Sequence, residues 1–158
     1  MTIDHLDTVY VPLGEDYPEI REGVRRICAD FPNAYWRDID KREAYPTEFV
    51  RAMSDAGYLA SLIPEEYGGA GLPMRAAGVI LQECHENGCY AAACHAQMYT
   101  MGTLLRHGSA EQKAQYLPKI ASGELRLQAV GVTEPTTGTD TTKLKTRAVR
   151  DGNHYVVT

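Results

Sequence analysis

The sequence has no excess of positive charge, and this excludes a broad nucleic-acid-binding surface. Its 158 residues hold 16 Lys+Arg against 21 Asp+Glu, a formal net charge of −5. Domains that bind nucleic acid cluster lysine and arginine to neutralise phosphates. One segment departs from the acidic balance, because residues 119–158 hold six Lys+Arg against four Asp+Glu. Either sampling in a short segment or a ligand that carries phosphate accounts for this difference.

The sequence also lacks a secretory signal, a membrane span, internal repeats and low-complexity runs. Met1-Thr2-Ile3-Asp4 has neither the basic start nor the apolar core of a signal peptide, so we expect a cytoplasmic chain with reduced thiols. The longest uncharged stretch, 87–105, would be about 28 Å long as a helix. His95 and Gln97 interrupt it, so we expect a helix buried in a bundle and no membrane span.

Neither the glycines nor the cysteines follow the spacing of a familiar nucleotide or metal site. The Gly-rich segment 68–71 lacks the strand, helix and third glycine of a dinucleotide fingerprint, and no Lys-Ser/Thr pair follows it. We interpret it as a connector that needs unusual backbone angles. Zinc sites usually combine two C-x₂₋₄-C pairs; Cys89-x₄-Cys94 is at the limit of that spacing and no separate second pair accompanies it, so we predict buried structural thiols and no metal. They are Cys28, Cys84, Cys89 and Cys94.

The hydrophobic pattern of the first 124 residues predicts a helical domain. An irregular start over 1–14 precedes the first helix. Residues 33–45 have no clear period, and 58–72 is predicted to be a loop. Pro118 is expected to break or kink the last helix. Four predicted helices span 15–31, 46–56, 73–87 and 89–107, and a fifth begins with a capping box formed by Ser109 and Gln112. The residues expected to face inward are Phe49, Val50 and Met53 in the second helix and Ala76, Ala77, Ile80, Leu81 and Cys84 in the third.

After Gly123 the pattern changes to that of β structure. Alternation over 125–131 predicts a strand, and 146–150 and 154–158 flank a turn, which predicts a hairpin. One strand and one hairpin cannot bury an apolar face in water, so we expect the beginning of a longer β-domain.

A threonine-rich loop lies between the predicted strand and the hairpin. Residues 133–142 contain six threonines, and Gly138 adds backbone freedom. Such a loop can hold the polar edge of a ligand or a pyrophosphate through backbone N–H groups and hydroxyls. The alternative is an ordinary hydroxyl-rich surface loop.

Three stretches of the sequence resemble the acyl-CoA dehydrogenase family, and the resemblance covers about residues 15–158. They are IPEEYGGAG at 63–71, GSAEQK at 108–113 with YLPKIASGE at 116–124, and VTEPTTGTD at 132–140 with KTRA at 145–148. The resemblance implies a mainly α fold. A helical N-terminal domain, 1–124, would be followed by the first strands of a β-barrel-like middle domain, 125–158.

The resemblance also implies a chemistry. Members of the family remove a proton from Cα of an acyl-CoA and pass a hydride from Cβ to FAD. Electrons then leave to an electron-transfer flavoprotein, and the enzymes are homotetramers or homodimers. The catalytic glutamate comes from a C-terminal bundle in most members. No glutamate here matches it, so no catalytic residue is expected in this chain, and the chain alone is expected to be inactive.

The resemblance assigns flavin-binding positions within and before the threonine-rich loop. Val130, Val132 and Thr133 match positions that line the flavin ring, and the Thr133 hydroxyl would bind its polar edge. Gly138 and Thr139 match the pair where the FAD phosphates and the CoA part of the substrate come close. Thr139 replaces the serine usual in the family, which keeps the hydroxyl and adds a methyl group.

The resemblance places the acyl pocket on the fourth predicted helix. Ala91, Ala92, His95 and Tyr99 match its positions. The two alanines leave space for a bulky or longer acyl chain. The alternative is ordinary helix packing by small residues.

Two other functions are compatible with these features. A flavin oxidase or monooxygenase would share the scaffold and react with oxygen, because a fold does not determine its chemistry. A non-enzymatic helical interaction module would use its β segment to pair with a partner strand.

Overall fold

A computed structural model describes residues 16–158, which divide into a helical unit up to Gln128 and a smaller unit over Ala129–Thr158. The chain is mainly helical and closes with a short two-stranded sheet, as predicted. Within the described residues, no helix is both long and apolar enough to cross a bilayer. The elements are α1 (Pro18–Ala29), α2 (Asn33–Lys41), α3 (Thr47–Asp55), α4 (Met74–Glu86), α5 (Ala92–His107), α6 (Ala110–Ala121), β1 (Ala148–Asp151) and β2 (His154–Val157), with 3₁₀ turns at Tyr58–Ala60, Glu65–Tyr67 and Thr141–Lys143.

Five of the six helices in residues 16–158 lie where the hydrophobic pattern predicts them, and most of them are shorter at their ends by a few residues. Gly57 and Gly88 follow α3 and α4 with φ of +80° and +75°, the left-handed conformation that ends a helix at little cost for glycine. Ser109 and Gln112 form the predicted capping box at the start of α6. The predicted irregular segment 1–14 and the first helix's start at residue 15 lie outside the described residues.

Helix α2 is absent from the sequence-based prediction, which gave 33–45 no regular structure. Three of its side chains explain the helix. Ile39 is buried, and the rings of Tyr35 and Trp36 pack edge-on at 5.0–5.3 Å within a cluster that includes Phe31 and Phe49. The Trp36 indole also donates to the Phe31 carbonyl oxygen at 3.0 Å. Aromatic packing therefore stabilises a helix whose charged residues obscure its apolar period.

Of the predicted break or kink at Pro118, the break is wrong, because α6 continues through the proline to Ala121. Leu117 and Ile120 flank the proline and are both buried. Their burial holds the last turn in place although proline lacks the N–H that the helix would use there.

The predicted strand over 125–131 is also wrong, since the structure has no strand there. Leu125 and Leu127 instead pack against the second hydrophobic cluster of the helical unit. Strand formation needs a hydrogen-bonded neighbour, and within the described residues no strand pairs with this segment. The first part of the apolar alternation, Leu125 and Leu127, therefore reflects packing on the helical unit.

The hairpin is confirmed, with β1 and β2 antiparallel and Asp151 opposite His154. Gly152 and Asn153 form a two-residue turn, and Gly152 has φ of +60°. Every side chain of both strands is exposed.

The core of the helical unit consists of two hydrophobic clusters. The first joins α1, α3, α4 and the beginning of α5, and it contains the predicted inward residues Phe49, Val50 and Met53, all at most 1% exposed. The second lies between α5, α6 and the 3₁₀ turns, around Met101 and Leu117.

One buried carboxylate, Glu83, connects α4 to α1. It is 1% exposed, accepts from Arg21 at 3.1 Å and from Arg25 at 2.9 Å, and accepts from Asn87 at 2.9 Å. Burial alone would raise the pKa of Glu83, but the hydrogen bonds from Arg21, Asn87 and Arg25 outweigh it and hold that pKa below its ordinary value. The carboxylate is therefore charged and fully paired.

We expect Glu83→Gln to lower the free energy of unfolding by about 3 kcal/mol, because it removes the buried carboxylate that pairs with Arg21 and leaves this largely buried arginine to exposed carboxylates such as Asp16. The pKa of Glu83 is lower in the folded protein than in the unfolded chain, where it is about 4.3. The stability that Glu83 contributes is therefore complete above that unfolded-state pKa and is lost as the pH falls through the folded-state pKa. Urea unfolding between acid and neutral pH measures both effects. Arg25→Gln is the control, because Arg25 pairs with the same carboxylate but is half-exposed. It should lower the free energy of unfolding by only about 0–1 kcal/mol. Equal losses in both variants would contradict this account.

Candidate functional site

The predicted site residues fall in two regions, one in each unit. The threonine loop, residues 133–142, belongs to the small unit. The α4–α5 groove belongs to the helical unit. Its lining residues are Met74, Ala77, Gly78, Leu81, His95, Met98, Tyr99, Gly102, Thr103, Arg106 and His107.

The threonine loop is held closed by its own backbone and by one carboxylate. Glu134 and Thr137 exchange backbone hydrogen bonds at 3.0 and 3.1 Å. The Glu134 carboxylate also accepts from the backbone N–H groups of Lys145 and Thr146 at 2.8 and 2.7 Å. Hydrogen bonds from Thr146 and Lys145 lower the pKa of Glu134. Glu134 is therefore a structural acceptor that joins the two ends of the loop.

Asp140 has a similar role inside the loop. Its carboxylate accepts from the Thr142 hydroxyl and from the Thr142 backbone N–H, and it pairs with Lys143 at 3.0 Å. The hydrogen bonds from the Thr142 hydroxyl and from Lys143 lower the pKa of Asp140. The Thr137 hydroxyl donates to the Asp140 carbonyl oxygen at 2.7 Å. Both acidic side chains of the loop are thus occupied by internal contacts.

The hydroxyls of Thr133 and Thr139 are exposed and have no hydrogen-bond partner among residues 16–158. A Cβ at Gly138 would lie 4.0 Å from the Thr133 Cγ2, so these two residues are neighbours. Val130 and Val132 are 52% and 42% exposed. The loop thus presents unpaired hydroxyls beside exposed apolar side chains, a donor set that fits a flavin with its diphosphate.

The α4–α5 groove is a cavity of about 440 Å³ between two consecutive helices. Small residues on both helices create the space, because a Cβ at Gly78 on α4 or at Gly102 on α5 would meet no atom within 4 Å. Met74 and Leu81 of α4 and Met98 of α5 supply apolar walls. Such a cavity accepts an apolar chain.

The structure brings two of the four predicted acyl-pocket residues to the groove. His95 and Tyr99 line it, and their rings meet edge-on with centroids 5.2 Å apart. Ala91 is instead fully buried in the first core cluster. Ala92 is half-buried at the start of α5 and does not line the groove.

Sequence reasoning missed the α4 wall and the far end of α5. Met74, Ala77, Gly78 and Leu81 recur at helical spacing, so one face of α4 could have been recognised as a partner of α5. Arg106 gave no signal of its own, because basic residues are common in the last turn of any helix.

The four cysteines are free thiols and are all buried, which confirms their predicted burial in the core. A hydrogen bond from Cys84 lowers the pKa of Cys28, and the same contact together with burial raises the pKa of Cys84. Burial raises the pKa of Cys94 to about 12. Among the described residues, no group of three or more His, Cys, Asp or Glu side chains is arranged to hold a metal ion.

Comparisons with known proteins agree on one family. Residues 14–124 match the profile described as acyl-CoA dehydrogenase, N-terminal domain. The chain is 37% identical to the (2S)-methylsuccinyl-CoA dehydrogenase of Cereibacter sphaeroides over 92% of its own length and 27% of that protein. It thus spans roughly a quarter of this relative.

Solved structures share the fold. An acyl-CoA dehydrogenase from Geobacillus kaustophilus superposes with a TM-score of 0.78 and 29% identity, covering 92% of this chain and 38% of that one. A glutaryl-CoA dehydrogenase from Mycobacterium smegmatis, solved in complex with FADH2, superposes with a TM-score of 0.76 and 26% identity. This match also covers 92% of this chain and 38% of that one. On these matches and the helical fold described above, the chain belongs to the acyl-CoA dehydrogenase family.

Proposed function

We propose that this chain is the helical N-terminal domain, 1–124, and the beginning of the β middle domain, 125–158, of a flavin-dependent acyl-CoA dehydrogenase. The whole protein would oxidise an acyl-CoA thioester between Cα and Cβ. The observation that carries the proposal is the threonine loop, where unpaired hydroxyls of Thr133 and Thr139 stand on a frame that Glu134 closes.

The loop would hold FAD through three of its residues. The Thr133 hydroxyl would bind the polar edge of the ring, and Gly138 and Thr139 would lie against the phosphates and the CoA part of the substrate. Val130 and Val132 would cover the ring with apolar surface, which their exposure leaves available. FAD, when bound, supplies the acceptor for the hydride. The glutaryl-CoA dehydrogenase of Mycobacterium smegmatis, solved in complex with FADH2, supports this choice of cofactor.

The α4–α5 groove would bind the acyl chain. Its apolar walls and side-chain-free glycines suit a flexible hydrocarbon, and His95 and Tyr99, which the family resemblance assigns to the acyl pocket, line it. The proposal assigns proton abstraction at Cα to a base outside this chain. It also includes an electron-transfer flavoprotein as the electron acceptor and a homodimeric or homotetrameric assembly.

We expect the isolated chain to give no acyl-CoA-dependent dye reduction, because it lacks the base. A longer protein that contains this segment should purify yellow and reduce the dye with acyl-CoA. Turnover by the isolated chain would overturn the assignment of the base. Rapid oxygen uptake by the longer protein without an added acceptor would support the oxidase alternative. A colourless longer protein that ignores added FAD would favour the interaction module.

We expect Thr133→Val to weaken FAD binding in the longer protein by about 10-fold, because the isosteric change removes one hydrogen bond to the ring. Flavin retained on dialysis and fluorescence titration of the apoprotein measure this change. Thr136→Val is the matched control, because Thr136 is exposed on the same loop and has no proposed contact with the ligand. Equal effects of the two substitutions would remove Thr133 from the flavin site.

We expect Gly102→Leu to raise KM for long acyl-CoAs by at least about 10-fold, because the new side chain fills the groove. Gly102→Ala is the control, since a Cβ at residue 102 meets no atom within 4 Å and alanine favours a helix. Steady-state kinetics over several acyl lengths, with thermal unfolding as a check on folding, measures the effect. An unchanged KM in a folded leucine variant would place the acyl chain elsewhere.

A further inference from the structure

Arg126 carries a cation that is partly buried without a counter-charge. Its Nε and Nη2 atoms are buried and form no hydrogen bond within residues 16–158, and no carboxylate of those residues pairs with it. Its Nη1 donates a long hydrogen bond of 3.4 Å to the Ser54 Oγ, and its guanidinium carbon lies 5.8 Å from the centre of the Tyr45 ring. Burying a cation without an anionic partner is costly, so Arg126 calls for an anion.

The neighbouring residues give the base of the Arg126 side chain a defined position. Leu125 and Leu127 pack against the second hydrophobic cluster, whereas Arg126 lies against the Tyr45 ring. The Tyr45 hydroxyl donates to the Gln128 Oε1 at 3.2 Å, which holds the ring beside the guanidinium. Packing on two sides of this segment therefore keeps the charge of Arg126 at the surface of α3.

Arg126 borders a cavity of about 430 Å³ that lies between α3 and the residues just after α6. No residue of this cavity lines the α4–α5 groove. Arg51 of α3 also lines the cavity, is exposed, and pairs with no carboxylate of the described residues. A guanidinium binds two phosphate oxygens through paired N–H groups, and a phosphate monoester carries a charge of about −2 at neutral pH. Two unpaired guanidinium groups on one cavity therefore match one phosphate monoester.

Two carboxylates on the same cavity show what the rest of the occupant needs. Asp55 forms no ion pair within residues 16–158, and Glu124 pairs only with Lys119, at 3.7 Å between exposed side chains. Both would repel a phosphate that occupied the cavity alone. A carboxylate accepts hydrogen bonds from hydroxyl groups, so both suit a hydroxyl-bearing body that carries the phosphate. A sugar phosphate combines these two properties.

We propose that the cavity at Arg126 binds a sugar phosphate, with Arg126 and Arg51 on its phosphate and Asp55 and Glu124 on its hydroxyls. The phosphate takes the place of Ser54 at Nη1, and a rotation of the Arg126 side chain brings Nη2 to the same ligand. The site shares no residue with the threonine loop or the α4–α5 groove, and it does not depend on the proposed function. The ligand is an effector that supplies the missing counter-charge, so its binding stabilises the folded protein.

The test uses ribose 5-phosphate as the probe and the longer protein that contains this segment. Isothermal titration calorimetry measures the Kd, and thermal unfolding with and without the probe measures the shift in Tm. We expect saturable binding with a Kd below about 100 μM, binding of inorganic phosphate that is about 10-fold weaker, and no measurable binding of ribose. The probe should also raise the Tm.

Substitutions locate the site. Arg126→Met and Arg51→Gln should each weaken binding of ribose 5-phosphate by at least about 10-fold, and Arg126→Lys should retain part of it. Asp55→Asn should reduce the advantage of ribose 5-phosphate over inorganic phosphate. Arg37→Gln is the control, because Arg37 is an exposed arginine of α2 that does not line the cavity. Without the probe, Arg126→Met should unfold at no lower a temperature than the unsubstituted protein, because it removes an unpaired charge.

Four outcomes would overturn this inference. The first is no saturable binding of ribose 5-phosphate up to about 10 mM. The second is binding that survives both Arg126→Met and Arg51→Gln, which would place the ligand elsewhere. The third is a lower Tm of Arg126→Met without the probe, which would mean that Arg126 is already paired. The fourth is displacement of ribose 5-phosphate by an acyl-CoA, which would assign the cavity to the substrate's own phosphates. Equal affinities for ribose 5-phosphate and inorganic phosphate would overturn the roles of Asp55 and Glu124.

Discussion

The position of α4 depends on a carboxylate that the helical unit buries almost completely. Glu83 is charged, and its charge is tolerated only because Arg21 and Arg25 of α1 and Asn87 donate to it. Directional bonds of this kind define one register of α1 against α4, which apolar contacts alone would specify less sharply. Because α4 is one wall of the α4–α5 groove, the network that ties α4 to α1 also helps to position that wall.

The same principle operates in the small unit, where exposed carboxylates organise backbone. Glu134 joins residues 145 and 146 to the start of the threonine loop, and Asp140 closes the turn that follows Thr137. Acidic side chains that accept backbone N–H groups are unavailable for chemistry but rigidify the residues around them. The loop can therefore present Thr133 and Thr139 in a defined arrangement, which lowers the entropy lost on binding a ligand.

Sequence reasoning predicted the elements whose signals are local. The capping box at Ser109, the turn glycines and the hairpin around Gly152 are encoded within a few residues, and all appear in the structure. It failed where distant contacts decide. Helix α2 depends on aromatic packing against Phe49, and Leu125 and Leu127 pack against a helical cluster although the alternation around them favours a strand. The α4 wall of the groove escaped prediction for the same reason, because Met74, Gly78 and Leu81 form a groove only when α4 packs beside α5.

The buried cysteines have a consequence for how long the protein lasts. Cys28, Cys84, Cys89 and Cys94 come from α1, α4, the connection after it and α5, yet they share one core cluster. An oxidant cannot reach them while that cluster is packed, and any opening that separates these helices exposes several thiols together. Oxidation of the thiols while the helices are separated would add polar oxygens or disulfide crosslinks. The hydrophobic core could not accommodate these groups when the helices pack together again. Under peroxide stress, the useful lifetime of the protein would then follow the rate at which its core opens, more than its equilibrium stability.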